Sequence, residues 1–557
     1  MSNMNEGEQI TIRPSESSLA ILHYRETDER VFVNKTVDFA RIKAVGFDMD
    51  YTIAPYNEEY EKLQFELTIK NLINLYRYPE EIKQIEYDPN FGVKGLFLDT
   101  LLGNILKIDQ FGYIHVALHG KQKLTVQQIQ NCYKDKTIPI QVLEQNERYY
   151  LQSTAFAAPL ITLYASLIEY FEDKQALRDP LNSKQKVNLQ YDSPENINEH
   201  QLNYENLFDD VNKALYLIHG AKAELKQITQ QNPEKYIIRS PELGDLLANL
   251  KKADKVLFLL TNSGYEYTSA VLEYLLGDKY RKFFDYIIVD ANKPSFFTGN
   301  AAFREVQDGK LLFTSIGKSL DKNKIYANGN QQDFVKFLQM RPKDMLYCGD
   351  HITGDTGATR NQQQRTLYIC PEIKKEINIM HENKKLYNQL SEHEKERNAL
   401  QVLCCQQEQF IQFQDKPKKL VEVQQKIDAT TKTIDEKFNS NFGSIFTTTW
   451  GKTWLGQYLQ ENSDLYTGEL VNLINYPPYY IFNQNYDSEL PHMETINVHV
   501  DQQKVKKTDI QLHSVGLDTR EIKDSLVNQV TMSLKDYQKV MTNEDSETES
   551  SKAVLGE

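Results

Sequence analysis

The sequence predicts an α/β fold, a parallel sheet covered by helices, and three observations carry that reading. Short β-branched or aromatic runs alternate with segments of helical spacing along most of the chain. At about 100–200 residues per domain, a chain of 557 residues can bury a large core and form two or more packed units. The cysteines Cys132, Cys348, Cys370, Cys404 and Cys405 are odd in number and lack CxxC or Cys/His metal spacing. No disulfide framework or zinc site is therefore expected, and a reducing, cytoplasmic setting fits best.

From the amino terminus onward, residues 1–28 are polar, without the charged-then-apolar pattern of a leader, and are expected to be a disordered arm. The run Ile42–Phe47 is the first strand. Phe156–Phe171 is interrupted by Pro159 and too short to span a membrane; Leu160, Leu163, Tyr164, Leu167, Ile168 and Phe171 give it helical spacing, so a buried helix is predicted. Residues 173–206 are dense in Asn, Gln, Lys and Asp and read as a long polar insertion. Val256–Leu260, Tyr286–Val289 and Met345–Tyr347 are three more strands. From 372 to about 440 the Glu/Lys/Gln-rich chain keeps apolar residues at helical spacing, which predicts two long amphipathic helices joined near Asp415–Pro417. Residues 501–557, ending NEDSETESSKAVLGE, have the composition of a disordered tail.

Charge narrows the partners. Lys plus Arg total 64 against 78 Asp plus Glu, a net charge of −14. A chain this acidic is not expected to hold a nucleic-acid polymer or an anionic membrane, and any anionic substrate needs a local cation.

In open α/β sheets the ligand site lies beyond the carboxyl ends of the strands, and the residues just past each of the four strands are chemically useful. The first ends in Asp48–Met49–Asp50, two carboxylates that repel in one pocket unless a divalent metal or a shared proton intervenes. The second is succeeded by Thr261, Asn262 and Ser263, short donors suited to phosphate oxygens. After the third comes Lys293, a compact cation, and after the fourth Gly349–Asp350–His351–Ile352–Thr353–Gly354–Asp355, two more acids among glycines that permit tight turns. Each piece alone is common in turns; four in order, each after an apolar run, are not.

That order resembles the haloacid-dehalogenase-type (HAD) phosphohydrolases. Within them, VFVNKTVDFARIKAVGFDMDYTIAPYN with Leu260–Ser263, Asp290–Phe297 and Gly349–Asp355 is similar to the cytosolic purine 5′-nucleotidases and their nucleotidase-domain relatives. The similarity resumes at Phe442–Phe446, Ser463–Tyr466, NYPPYYIF and Pro491–His492.

The resemblance implies a HAD-like Rossmannoid parallel sheet with an inserted cap domain and extra C-terminal helices. The core would occupy residues 29–110 and 211–371, the cap 111–210, a helical hairpin 372–440 and a further part packed on the core 441–500. It implies Asp48 as nucleophile, Asp50 as general acid and base, and Thr261, Asn262 and Ser263 on the phosphate, with Lys293 as its countercharge. Mg²⁺ would be held by Asp48, Asp350, the backbone carbonyl of Asp50 and, through water, Asp355. Phe156 and His219 would stack on the base of a nucleoside 5′-monophosphate in a homo-oligomer, with phosphotransfer as a side activity.

The sequence departs from the purine-reading members at Asn212 and Tyr216, where they carry an arginine and an acid, and at Thr353, where they carry an aromatic residue. Neither 6-oxopurine selectivity nor adenine-nucleotide activation is therefore implied. A scaffolding or binding protein that keeps the fold without turnover is the alternative reading.

Overall fold

The computed structural model describes residues 26–145, 147–178, 202–220, 223–307, 309–315, 319–406 and 416–484. Along the chain, β1 (Phe32–Val33) and β2 (Ala44–Phe47) precede helix α1 (Glu58–Tyr76). A separate antiparallel sheet comes next, made of β3 (Phe97–Asp99), β4 (Asn104–Ile108), β5 (Ile114–His119), β6 (Gln122–Lys123) and β7 (Tyr149–Leu151). Helices α2 (Ala158–Arg178), α3 (Tyr204–Ile218) and α4 (Glu224–Gln231) lead to β8 (Val256–Leu260), α5 (Tyr265–Leu276) and β9 (Tyr286–Val289). The hairpin β10 (Phe303–Gln307) and β11 (Lys310–Ser315) precedes β12 (Ile325–Asn328), β13 (Met345–Gly349) and β14 (Arg365–Ile369). Helices α6 (Glu372–Glu382), α7 (Lys384–Gln406) and α8 (Lys416–Phe438) and strand β15 (Leu465–Thr467) complete the order.

The main sheet runs β1-β15-β14-β13-β2-β8-β9-β12-β10-β11. Every pair from β15 through to β12 is parallel, whereas β1, β10 and β11 pair antiparallel at the two edges. The expected α/β class is what forms. The parallel strands read as continuous apolar runs because helices cover both faces: β2, β9 and β13 are buried along their whole length. Registers Met345↔Ala44 and Ala44↔Val256 align β13, β2 and β8, so their carboxyl ends open on one rim, with β2 between two strands that both follow it in the chain. That is where such sheets bind ligands.

Some boundaries differ from the sequence expectation. The first strand starts at Ala44, because Ile42 closes a short turn of 3-10 helix over Phe39–Arg41 through Ile42 N to Phe39 O. The buried helix starts at Ala158, which places Pro159 in its first turn, where a missing N–H costs nothing. It runs on to Arg178, and α3 begins at Tyr204, so both ends of the polar stretch 173–206 are helical while residues 179–201 lie outside the described residues. The antiparallel sheet begins at Phe97, ahead of the boundary at 110.

In the region of the helical hairpin there are three helices, not two. Asn383 breaks the first, its backbone N–H and side-chain Nδ2 both donating to Ile379 O. At the join expected near Asp415–Pro417, Asp415 lies outside the described residues while Lys416 and Pro417 open α8. Of the arm expected over 1–28, residues 1–25 lie outside and Thr27–Glu29 forms a turn of 3-10 helix, and the tail 501–557 lies outside as well. No helix among the described residues is long and apolar enough to cross a membrane.

Candidate active site

The four strand ends converge. At the end of β2, Asp48 Oδ1 accepts from its neighbour Met49 N at 2.7 Å and pairs with Lys293 Nζ at 2.8 Å. Lys293 Nζ also contacts Asp355 Oδ1 at 2.8 Å and donates to Tyr347 Oη at 3.0 Å, and Tyr347 in turn donates to Leu260 O. One ammonium thus ties together residues from β2, the β9 end and β13. Asp355 sits in a wide turn over Ile352–Gly357 and its Oδ2 accepts from His351 N at 3.1 Å. Gly349 makes room for it, since a Cβ there would lie 2.5 Å from Asp355 Oδ2.

The carboxylates of Asp48, Asp350 and Asp355 offer oxygens within 4.8 Å of one another. All three are buried, and Asp350 Oδ2 has no hydrogen-bond partner among the described residues. Burial pushes the Asp48 carboxyl up to about 7, with Asp355 and Asp50 adding to the rise and Lys293 opposing it. Asp350 is pushed well above the carboxylate range, again chiefly by burial. Burial works against the Lys293 ammonium, yet Asp355 and Asp48 outweigh it and hold that pKa well above the usual lysine value. Lys293 draws on all three acids and Lys94 adds its pull on Asp350, yet burial still holds the Asp48 and Asp350 carboxyls high, and the unpartnered Asp350 Oδ2 is a donor a cation could take. Hard carboxylate oxygens are the donor set that Mg²⁺ takes, so the residues present fit that ion.

Asp50, two residues from Asp48, lives in a different environment. Its Oδ1 accepts from Tyr56 Oη at 2.6 Å and its Oδ2 from Ser263 Oγ at 2.7 Å. Its carboxylate therefore does not join the group formed by Asp48, Asp350 and Asp355.

The β8 end supplies three side chains with three uses. Ser263 reaches Asp50, and Thr261 Oγ1 accepts from Ser263 N at 3.0 Å. Asn262, expected on the phosphate, spends its side chain on the backbone of Lys293: its Oδ1 accepts from Lys293 N at 2.6 Å and its Nδ2 donates to Lys293 O at 3.2 Å. That amide fixes where the lysine leaves the chain.

Phe156 and His219 are brought together, but not as two parallel faces. Their rings meet edge to face, 5.0 Å apart at 82°, whereas a base between parallel rings needs about 7 Å, two van der Waals spacings. Phe156 also meets Tyr51 edge-on at 4.7 Å. His219 Nε2 is buried without a partner among the described residues, and burial, helped by Lys226, lowers its pKa to about 3. The imidazole is neutral. Asn212 and Tyr216 lie on α3 leading to it, and Tyr216 is exposed.

With this geometry, residues 31–495 match the 5′ nucleotidase family. The chain belongs to the 5′ nucleotidase family. Its relatives include 5′-nucleotidase domain-containing protein 2 of Homo sapiens, 29% identical over 464 residues that span 80% of this chain and 82% of that one. The Rattus norvegicus protein of the same name is also 29% identical, over 80% of this chain and 77% of its own. Among solved structures, a predicted phosphoglycolate phosphatase from Haemophilus somnus overlaps 59% of this chain and 85% of its own, at 10% identity and a TM-score of 0.24. A likeness that low adds nothing to the argument.

Three residues of this family member's site were not legible in the sequence. Lys226, on α4, is buried and donates from Nζ to Ser263 Oγ at 3.2 Å. Burial lowers its pKa, against the pull of Asp50 and Asp290. Tyr56 and Tyr267 stand behind Asp50, their hydroxyls 2.8 Å apart. The tyrosine six residues after Asp50 was the one available signal.

Proposed function

We propose that the protein is a Mg²⁺-dependent 5′-nucleotidase that hydrolyses nucleoside 5′-monophosphates through an aspartyl-phosphate. The observation that carries this is the separation of two carboxylates only two residues apart. Asp48 sits among acids against a single lysine, while Asp50 is held away from them by two hydroxyls. Groups so divided suit a nucleophile and an acid–base partner.

In this reading Asp48 Oδ1 is engaged by Met49 N and Lys293, and Oδ2 attacks phosphorus in line with the 5′-oxygen. The P–O5′ bond breaks as Asp50 gives its proton to the leaving oxygen, a transfer worth typically about 10²–10⁴-fold. Water then attacks phosphorus of the aspartyl-phosphate, Asp50 takes the proton, and phosphate leaves with Asp48 restored. A nucleoside hydroxyl in place of water gives phosphotransfer. Lys293 neutralises charge on the transferring group and on Asp48, and Thr261 and Ser263 line its path. Asp48, Asp350, the Asp50 carbonyl and, through water, Asp355 would hold Mg²⁺, which supplies Lewis-acid charge neutralisation at the phosphoryl oxygens. Base recognition by Phe156 and His219 requires the two rings to part.

The test is phosphate release by the purified full-length chain from a panel of nucleoside 5′-monophosphates and simple phosphate esters, with Mg²⁺ or with EDTA. Turnover that needs Mg²⁺ and disappears in Asp48→Asn is expected. A panel on which the native chain never exceeds Asp48→Asn would leave the scaffolding alternative standing.

A further inference from the structure

Asp50 is held by more than the loop that carries it. Tyr56 Oη donates to Asp50 Oδ1 at 2.6 Å and lies 2.8 Å from Tyr267 Oη, with both tyrosines buried. The ring of Tyr56 is itself fixed, stacked on Tyr60 at 4.0 Å and 17° and met edge-on by Tyr51 at 5.0 Å. A phenol has a single proton. The Tyr267 hydroxyl also meets Tyr60 and Thr229, but since Tyr56 gives its proton to Asp50, the proton in the Tyr56–Tyr267 bond is the one on Tyr267. The donors therefore run one way, Tyr267 to Tyr56 to Asp50, and each bond polarises the next. The other oxygen, Oδ2, faces Ser263 from the β8 end, on the phosphate side, and a carboxylate oxygen that accepts once keeps a second lone pair.

We propose that Tyr56 and Tyr267 are positioning residues that anchor Asp50 Oδ1 and so commit Oδ2 to the proton transfers with the leaving oxygen and with water. This rests on the reading of Asp50 as the acid and base. The consequence is selective. Esters whose leaving oxygen is strongly basic, nucleosides among them, need a well-aimed proton donor; esters of acidic phenols leave without one. The Tyr56 hydroxyl is committed to Asp50 and Tyr267, so the proposal gives neither tyrosine a part in binding the ester.

The experiment compares the full-length chain with Tyr56→Phe, Tyr267→Phe and Asp50→Asn in Mg²⁺, measuring kcat/KM on 4-nitrophenyl, phenyl and benzyl phosphate, in order of rising leaving-group basicity. This ratio reports events up to departure of the leaving group. Phenylalanine keeps the ring packing, and melting curves check it. Tyr56→Phe should lose about 10–100-fold on benzyl phosphate, part of the range ascribed to general acid catalysis, and under about 3-fold on 4-nitrophenyl phosphate, with KM unchanged. Tyr267→Phe should show the same slope, shallower.

An equal loss on all three esters, or none, overturns the positioning role. If Asp50→Asn is inactive on benzyl phosphate while Tyr56→Phe and Tyr267→Phe match the native chain, only this proposal fails. If Asp50→Asn hydrolyses benzyl phosphate at the native rate, the acid–base reading fails and takes the proposal with it. Should Tyr56→Phe not fold, Tyr267→Phe carries the same comparison.

Discussion

At Asp48 and at Asp99 the chain buries a carboxylate, and the two surroundings differ in kind. Asp99, in the antiparallel sheet, is 0% exposed, and both its oxygens are taken by Arg148 at 2.7 and 2.6 Å, with Tyr133 Oη at 2.7 Å and the backbone N–H of Leu101 and Leu102 besides. The network runs on through Asn104 to His119, then Glu172 and Tyr204, each link a hydrogen bond of 2.6–3.0 Å. Here charge meets charge and each donor meets an acceptor. Around Asp48 three acids share Lys293, Lys94 reaches Asp350 only through space while paired with Glu372, Asp350 Oδ2 has no partner among the described residues, and burial holds two carboxyls high. A folded chain tolerates such a deficit where a ligand removes it; a satisfied network of the same depth has nothing left to bind.

If that contrast is right, activity and stability separate between the two regions. Asp48→Asn should have the largest effect, a loss of about 10⁴-fold or more in kcat, roughly 5 kcal/mol of barrier, in a phosphate-release assay. Its melting temperature should stay level or rise, because a like charge leaves the cluster while Lys293 keeps Asp355. Asp99→Asn should do the reverse, lowering unfolding free energy by about 3 kcal/mol, as when a buried pair loses one partner, with kcat per folded molecule unchanged. Comparable destabilisation in both variants would erase the distinction.

Next in size is the ion. Mg²⁺ at about 100 times its dissociation constant should raise stability by about 2.7 kcal/mol, read as a concentration-dependent rise in melting temperature. Asp350→Asn should abolish most of that rise, and Asp99→Asn should leave it intact. An Mg²⁺ effect that survived in Asp350→Asn would place the cation elsewhere.

The sequence exposed the first region far better than the second, for a physical reason. Parallel strands buried on both faces announce themselves as apolar runs, and in such sheets the chemistry sits just past their ends. Asp48, Asp50, Thr261, Ser263, Lys293, Asp350 and Asp355 were therefore all legible, and the structure brings them to one rim. What stayed hidden reaches that rim sideways. Lys226 lies on ELKQITQQ, a segment that reads as a solvated helix until the packing of α4 buries its ammonium. Asn262 looked like a phosphate ligand because a short amide suits phosphate and backbone equally well, and only the approach of Lys293 decides between them. The strands from Phe97 to Leu151 alternate less cleanly, with polar Asn104, Lys107 and His119 inside, so their sheet was not anticipated. Buried polar partners blur the very periodicity that reveals a strand.

Glu376 separates the two ingredients that distinguish those regions, since it has its hydrogen bonds but no ion pair among the described residues, Lys107 pulling on it only through space. Its carboxylate accepts from Ile445 N at 2.7 Å and Ser444 Oγ at 2.8 Å. The nearby Lys107 spends its ammonium on Phe442 O and Thr447 O instead. If satisfied hydrogen bonds were enough, Glu376 would titrate in the ordinary carboxylate range; burial instead raises it from 4.5 to about 6. Between those two values the native state holds the proton that the unfolded chain has lost, so stability falls as pH rises through the window. The stabilising contribution is complete below about 4.5 and gone above about 6. Glu376→Gln cannot titrate, so the native chain should gain on it as pH is lowered from 7 to 4.5, by about 2 kcal/mol at most, or a few degrees in paired melting curves. A difference that stays flat, or runs the other way, would mean that the two donors at Ser444 and Ile445 compensate a buried carboxylate as well as a guanidinium does, and that uncompensated charge is not what sets the rim around Asp48 apart.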